Sequence, residues 1–459
     1  MTNVPEQNNY RFDTPDLQCQ RLAGGWLKLG VTTLCIAGIY ALLLAVARTP
    51  LLKDIVPSDD FFYTSLVIHV IFSNVFWFLA MAGVLWSMNT RGRFIPLGWA
   101  ALFVAAAGVA VIALAPFIGA GNPVMANYIP FLNSPLFFTG LTISGIGFSL
   151  LVLRTTIAVP RLMVSKPEGS IRFGIFTAAN AAAMAILAFF WAFFTMPESI
   201  PDKELYEGLF WLGGHVLQFT HALLMLVAWM WLASASGVRL KLPARIATLF
   251  FTLALITVAL TPIAFLSENI TSTGFQLWFT TQMQIGGAVA TVPLGLAVLV
   301  SLFWAGKAAP EVQPLRIALL LSILLFALGG VLGYMLRESS TLVTAHYHSV
   351  TGAVTLAFMA LAYDLLPRLG FGVVPHRLAR MQVYAYGTGQ LLHVLGLAWA
   401  GGYGMARKVG GSGQSLDNLG QTLGMSLMGL GSLVATIGGI LFLVIVINAI
   451  RQRGHAQVE

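Results

Sequence analysis

Eight histidines give this 459-residue chain most of its capacity for chemistry: His69, His215, His221, His346, His348, His376, His393 and His455. An imidazole can hold a metal or a haem iron through one nitrogen while the other makes a hydrogen bond. His376 and His455 stand among charged residues, where a solvated surface position accounts for them. The other six interrupt long apolar runs, and a polar side chain inside lipid is costly enough to be a functional candidate by default. His346 and His348 are two residues apart, about 200° around a helix, so they face opposite sides and one helix could serve two metal centres. Cys19 and Cys35 are too few for a disulfide framework, a cysteine-rich metal site or a Cys-x-x-Cys-His haem attachment.

The elements that must position these groups follow from composition. The chain is 58% hydrophobic and 9% charged, with a mean hydropathy of +0.83. Soluble domains carry about a quarter charged residues, so a water-solvated fold is excluded, and disorder and nucleic-acid binding with it. Apolar stretches predict helices over 24–48, 61–88, 95–118, 134–157, 171–195, 208–234, 244–266, 273–305, 314–337, 342–365, 380–402 and 424–450. Spans of this length must be helical, because lipid offers no partner to backbone polar groups. The fold class is therefore all-α: a polytopic membrane protein of twelve transmembrane helices over 24–450. A segment 1–23 and a tail 451–459 complete the chain. The first 20 residues are polar, with Asp13 and Asp16, unlike a cleavable signal peptide.

Lysine and arginine sort between alternate loops. One side holds nineteen, Arg91, Arg161 and Arg453 among them; the other holds six, Arg48, Lys53, Lys203, Arg337, Arg407 and Lys408. The positive-inside rule puts both termini in the cytoplasm of a bacterial inner-membrane protein. The net charge of +8 then reflects topology and lipid contact rather than an acidic ligand. The longest outer connections are expected near 49–60, 196–207 and 403–423; the second, with Glu198, Asp202, Glu204 and Glu207, reads as a solvated acidic loop.

This topology brings four histidines to one depth. Spans 2, 6 and 10 all enter from the outside, with His69, His215, His346 and His348 within their first turns. One such histidine would be explained by a hydrogen bond between helices; four in one layer point to metal or haem. His221 lies about 240° around and about 9 Å deeper than His215, and fits a buried hydrogen bond better than ligation.

At these residues the chain resembles the catalytic subunit of the haem–copper oxidase superfamily. Ala345-His346-Tyr347-His348 with Gly352, and Asp364-Leu365-Leu366-Pro367-Arg368-Leu369, are similar to that family's tenth helix. Leu392-His393-Val394-Leu395-Gly396-Leu397 leading to Gly404-Met405-Ala406-Arg407-Lys408 resembles the eleventh helix and its outer loop, and Trp211-Leu212-Gly213-Gly214-His215 the sixth. The resemblance implies a subunit I-like twelve-helix bundle. It implies His69 and His348 as axial ligands of a low-spin haem, and His346 as the axial ligand of a high-spin haem facing a non-haem metal. His215 would be one ligand of that metal. Arg407 would bind haem propionates, with Lys408 in place of a second arginine that it cannot match for bidentate contact. His393, His221, Asn269 and Gln282 would stand behind these ligands.

Three departures from an oxidase shape the expected chemistry. No histidine lies between His221 and His346, so the family's helix 7 histidine pair is missing; its place falls near Ser267-Glu268-Asn269-Ile270. No tyrosine lies between Tyr206 and Tyr334, and Phe219 stands four residues after His215, so helices 6 and 7 cannot donate the family's redox tyrosine. The eighth span carries no charge from Gly274 to Trp304, so a lysine proton channel is absent; Met283 there reads as a packing residue. Together these resemble a divergent nitric oxide reductase branch. That reading implies two haems, type b being the simplest expectation, and a non-haem metal held by His215 and Glu268, iron favoured over copper by the carboxylate. Electrons would come from an outer-face subunit or a soluble cytochrome c or cupredoxin, with nitric oxide as substrate. The alternatives are a terminal oxidase with an atypical metal site and a haem-bearing subunit without catalysis.

Overall fold

Helix formation here follows from apolar length and from how each helix starts and stops. The computed structural model describes residues 9–452 except 14, 53–58, 91, 120, 127, 161, 337–338 and 411–413. Lys53, Arg91, Arg161, Arg337, Arg453 and His455, used above for sidedness and surface assignment, lie outside the described residues. Twelve long helices are described: α1 Leu17–Arg48, α2 Asp60–Asn89, α3 Ile95–Phe117, α4 Pro135–Ile157, α5 Pro167–Thr195 and α6 Asp202–Ala235. They continue as α7 Ala244–Ser267, α8 Thr273–Phe303, α9 Gln313–Tyr334, α10 Thr341–Arg368, α11 His376–Gly402 and α12 Leu419–Arg451. Eleven are long and apolar enough to cross a membrane. The exception is α11, whose buried Gln382 accepts from the Tyr363 hydroxyl at 2.9 Å and donates to the Met359 sulfur of α10. The protein is an all-helical polytopic membrane bundle.

Several boundaries differ from the expected ones for local reasons. α1 begins at Leu17 rather than 24, because the Asp16 carboxylate accepts from the Cys19 amide at 2.9 Å and caps the helix. Ahead of it, Tyr10 is fully buried, its amide donating to Ser234 Oγ at 2.9 Å and its hydroxyl to the Leu242 carbonyl. Burial pushes the Tyr10 phenol up from its ordinary value. The acidic stretch is mostly helical: α6 starts at Asp202, so Glu204 and Glu207 fall in its first two turns, where carboxylates favour the helix dipole. The connection is 196–201, not 196–207. Asn418 caps α12 by accepting from the Gln421 amide, which shortens the expected 403–423 connection.

Two compact units emerge along the chain. The first comprises residues 1–29, 79–119 and 126–306; the second comprises 30–78, 120–125 and 307–459. In the first, α3 packs on α4 and α5 on α6. Its buried Arg154 donates to Thr90 Oγ1, Arg93 O and Phe94 O, so it ties a turn together rather than touching lipid. In the second, α9 packs on α10 and α11 on α12. The α11–α12 contact is close because glycines face backbone: a Cβ on Gly431 would overlap the His393 amide, and one on Gly389 the Ala435 amide. Such approach substitutes for the hydrophobic drive that lipid cannot supply between helices.

Gly431→Val should therefore force α12 away from His393 and cost about 1–3 kcal/mol. A thermal-unfolding midpoint equal to that of the parent protein in the same detergent would contradict this.

Candidate haem and metal sites

Three histidines of the second unit share one device. His69 Nδ1 pairs with the Ala37 carbonyl of α1 at 3.0 Å, and His346 Nδ1 with the Gly329 carbonyl of α9 at 2.7 Å. A carbonyl only accepts, so each Nδ1 carries the proton and Nε2 is the nitrogen with a lone pair to give. His393 Nδ1 pairs with Ser432 Oγ at 2.6 Å, and its Nε2 is buried without a partner. The chain following His69 widens into a π-helical segment, Ile71–Phe76, a distortion that recurs at functional sites. Space for the His346 ring comes from α9: a Cβ on Gly333 would stand 2.8 Å from its Cε1 and 2.9 Å from its Nδ1.

His348 faces the other way from His346, as its spacing predicts. Its ring meets His393 of α11 at 4.6 Å between centroids, whereas His346 turns to α9. His348 also lies within electrostatic range of His69 and Arg48. Arg48 was missed by sequence reasoning, which counted it as an outer-loop cation. It is the last residue of α1, and its Nε and Nη2 are buried without partners. Its position at the end of an unbroken apolar run was the available signal. A buried guanidinium and an orphaned imidazole nitrogen are costly unless something satisfies them. A haem fits this donor set, with imidazole nitrogens for its iron and a cation for its carboxylates.

The loop after α11 is tied to the start of the histidine helix. Thr341 N donates to Met405 O at 2.9 Å, and Arg407 Nε donates to Ser339 Oγ at 2.9 Å. Lys408 adopts a left-handed backbone, φ 56°, which reverses the chain directly after Arg407.

In the first unit, His215 sits within an aromatic corner. Its Nδ1 donates to the Trp211 carbonyl one turn back at 2.6 Å. Its ring lies 4.8 Å from Trp211 and 5.1 Å from Tyr128, and those two rings are 6.3 Å apart. Tyr128 belongs to the connection between α3 and α4; its hydroxyl accepts from Gln218 Nε2 at 2.6 Å. Burial pushes this phenol well up, with the Gln218 hydrogen bond acting the other way, so it is neutral. The Gly-Gly-His motif now has a reason: a Cβ on Gly214 would overlap the Tyr128 ring. Phe219 is buried and contributes only hydrocarbon.

The remaining candidates stand as follows. Glu268 ends α7 exposed, with a carboxylate oxygen over Gly274 at the start of α8. Asn269 is also exposed, and its Oδ1 accepts from the Thr271 amide at 3.1 Å and hydroxyl at 2.9 Å, a turn-closing role. Gln282 opens the π-helical segment Gln282–Gly286 of α8 and donates to Thr257 O at 2.8 Å and Thr261 Oγ1 at 3.0 Å, which fastens α8 to α7. His221 lies two turns below His215 on α6, its Nε2 buried. Among the described residues no three His, Cys, Asp or Glu side chains form a group that could hold a metal ion.

Residues 21–452 match the family described as cytochrome c and quinol oxidase polypeptide I. The chain belongs to that family. Its fold agrees: a cryo-EM structure of a heme-copper terminal oxidase dimer superposes with a TM-score of 0.70 at 15% identity, covering 94% of this chain and 84% of that one. An uncharacterized protein of Rickettsia prowazekii (strain Madrid E) is 27% identical over 92% of this chain and 95% of its own length. Another, from Aquifex aeolicus (strain VF5), is 29% identical over 75% of this chain and 85% of its own. Membership makes the chain an oxidoreductase core of the haem–copper oxidase superfamily, and haem and metal centres are general to that family.

Within this oxidase-family core, His69→Ala or His348→Ala should abolish a six-coordinate low-spin haem spectrum and leave a high-spin haem. A full low-spin Soret and alpha band in either variant would refute the pairing.

Proposed function

We propose that this chain is the catalytic subunit of a nitric oxide reductase-type enzyme, joining two NO molecules with two electrons and two protons to give N2O and water. The observation that carries this reading is the donor set around position 215. α6 carries His215 and the deeper His221, the fourth residue after His215 is the hydrocarbon Phe219, and no histidine follows His221 until His346. A three-histidine copper site cannot be assembled from that stretch. Bound haem and non-haem metal would supply electron storage and the reducing centre. The chain's own residues hold and orient them: His69 and His348 for a low-spin haem, His346 for a high-spin haem, and Arg407 with Lys408 for propionates. His215 and Glu268 would hold the second metal, with His393, His221, Asn269 and Gln282 behind. Two b-type haems and a non-haem iron suit this set, copper being the alternative.

Both termini are assigned to the cytoplasm of a bacterial inner membrane. Electrons would then arrive on the opposite face from a partner subunit, a soluble cytochrome c or a cupredoxin.

A second reading, dioxygen reduction, is favoured by one feature. A phenol, Tyr128, stands against His215 although α6 and α7 carry none between Tyr206 and Tyr334. Anaerobic NO consumption against O2 consumption by the purified protein, with one reductant, decides between them. NO turnover at least tenfold above O2 turnover is expected, and the reverse ratio would sink the proposal. Glu268→Ala should lose non-haem metal and NO turnover with both haems retained; unchanged metal and activity would return Glu268 to the loop. Because α8 is charge-free from Gly274 to Trp304, turnover in proteoliposomes should release no protons outward beyond scalar chemistry. Uncoupler-sensitive acidification outside would contradict that.

A further inference from the structure

We infer that Tyr128 is a positioning residue for the His215 imidazole, closing one side of it, with Gln218 as the latch. This rests on reading His215 as a ligand of the second metal.

The terminal torsion of a histidine is broad, so one hydrogen bond at Nδ1 leaves the ring plane loosely set. At His215 that bond is local, to the Trp211 carbonyl of the same helix. The aromatic corner supplies the missing constraint: Trp211 at 4.8 Å and Tyr128 at 5.1 Å meet the imidazole from two directions. Trp211 is itself held, its Nε1 donating to Gln276 O at 3.3 Å.

Tyr128 touches α6 at successive points on one face. Its ring lies over Gly214, where any larger residue would overlap it; its edge reaches His215; its hydroxyl takes the Gln218 hydrogen bond one turn on. Residues 214 and 218 are one turn apart and flank 215 along the helix. The plainer account, that Tyr128 only fastens its own loop, leaves unexplained why the contact is centred on a histidine and why Gly214 is kept bare beneath it. The loop has a separate fastening, since Ser134 Oγ donates to Gly119 O at 2.9 Å. Residues that orient a ligand histidine typically change metal affinity about 10–100-fold when removed.

The test uses the full-length protein in detergent, with non-haem iron and copper both counted against haem. Non-haem metal is extracted by a chelator, and its EPR spectrum is recorded. Tyr128→Ala should speed extraction about 10–100-fold and alter the EPR line shape while haem content stays constant. Tyr128→Phe and Gln218→Leu should each give the same smaller acceleration, with no further effect in the double variant, because both remove one latch. Ser134→Ala, which loosens the loop elsewhere, should behave as the parent. Parental extraction and EPR in Tyr128→Ala, with His215→Ala devoid of non-haem metal, would overturn the positioning role and leave the ligand reading intact. Full non-haem metal in His215→Ala would overturn both. If Tyr128→Ala fails to fold, additivity of the Phe and Leu variants, or parental values in both, overturns the latch.

Discussion

Commitment of imidazole Nδ1 is the constraint on which the candidate chemistry depends. His69, His215 and His346 each give that proton to a backbone carbonyl, of Ala37, Trp211 and Gly329 respectively. Each bond selects one tautomer and turns the other nitrogen away from the carbonyl. In water such a bond would exchange with solvent; inside a membrane protein the carbonyl and the imidazole have few other partners, so the choice persists. The carbonyls are available for different reasons. Trp211 belongs to the same helix as His215, whereas Ala37 and Gly329 belong to neighbouring helices, so two of the three bonds also fix helix register.

That constraint explains the distribution of glycine near these residues. Gly333 lets α9 approach the His346 ring, Gly329 lets it approach Ser349 and Val350 of α10, Gly214 lets Tyr128 lie on α6, and Gly431 lets α12 approach the His393 backbone. Close backbone approach is the means by which helices in lipid gain packing energy, and here it coincides with the positions of the imidazoles. The same second unit leaves Arg48 and His393 with buried polar atoms unsatisfied. These are the places where a membrane protein has most to gain from a bound charged or ligating group.

Family membership and the site chemistry constrain different things. Membership establishes a haem–copper oxidase-like core and its helical frame; it does not select the substrate. Selection rests on the few side chains around His215, where Phe219 supplies only hydrocarbon and the loop-borne phenol of Tyr128 lies against the imidazole.

Much of the fold was legible in the sequence, since apolar length is a local property and lipid forces such lengths into helices. The histidines within the spans were legible for the same reason: a polar residue stands out in an apolar run. Helix ends were less legible, because capping by Asp16 and Asn418 depends on single side chains. Tertiary structure alone decided which carbonyl holds each imidazole, that Asn269 closes a turn, and that Gln282 fastens α8 to α7. It also decided that Tyr128 reaches Gln218 across 90 residues of sequence. Arg48 could be counted as a charge from sequence, yet only the structure reveals that its Nε and Nη2 are buried without partners. Periodicity and composition report how each segment meets lipid, whereas a ligand's orientation depends on contacts between segments far apart in the chain, which no local pattern encodes.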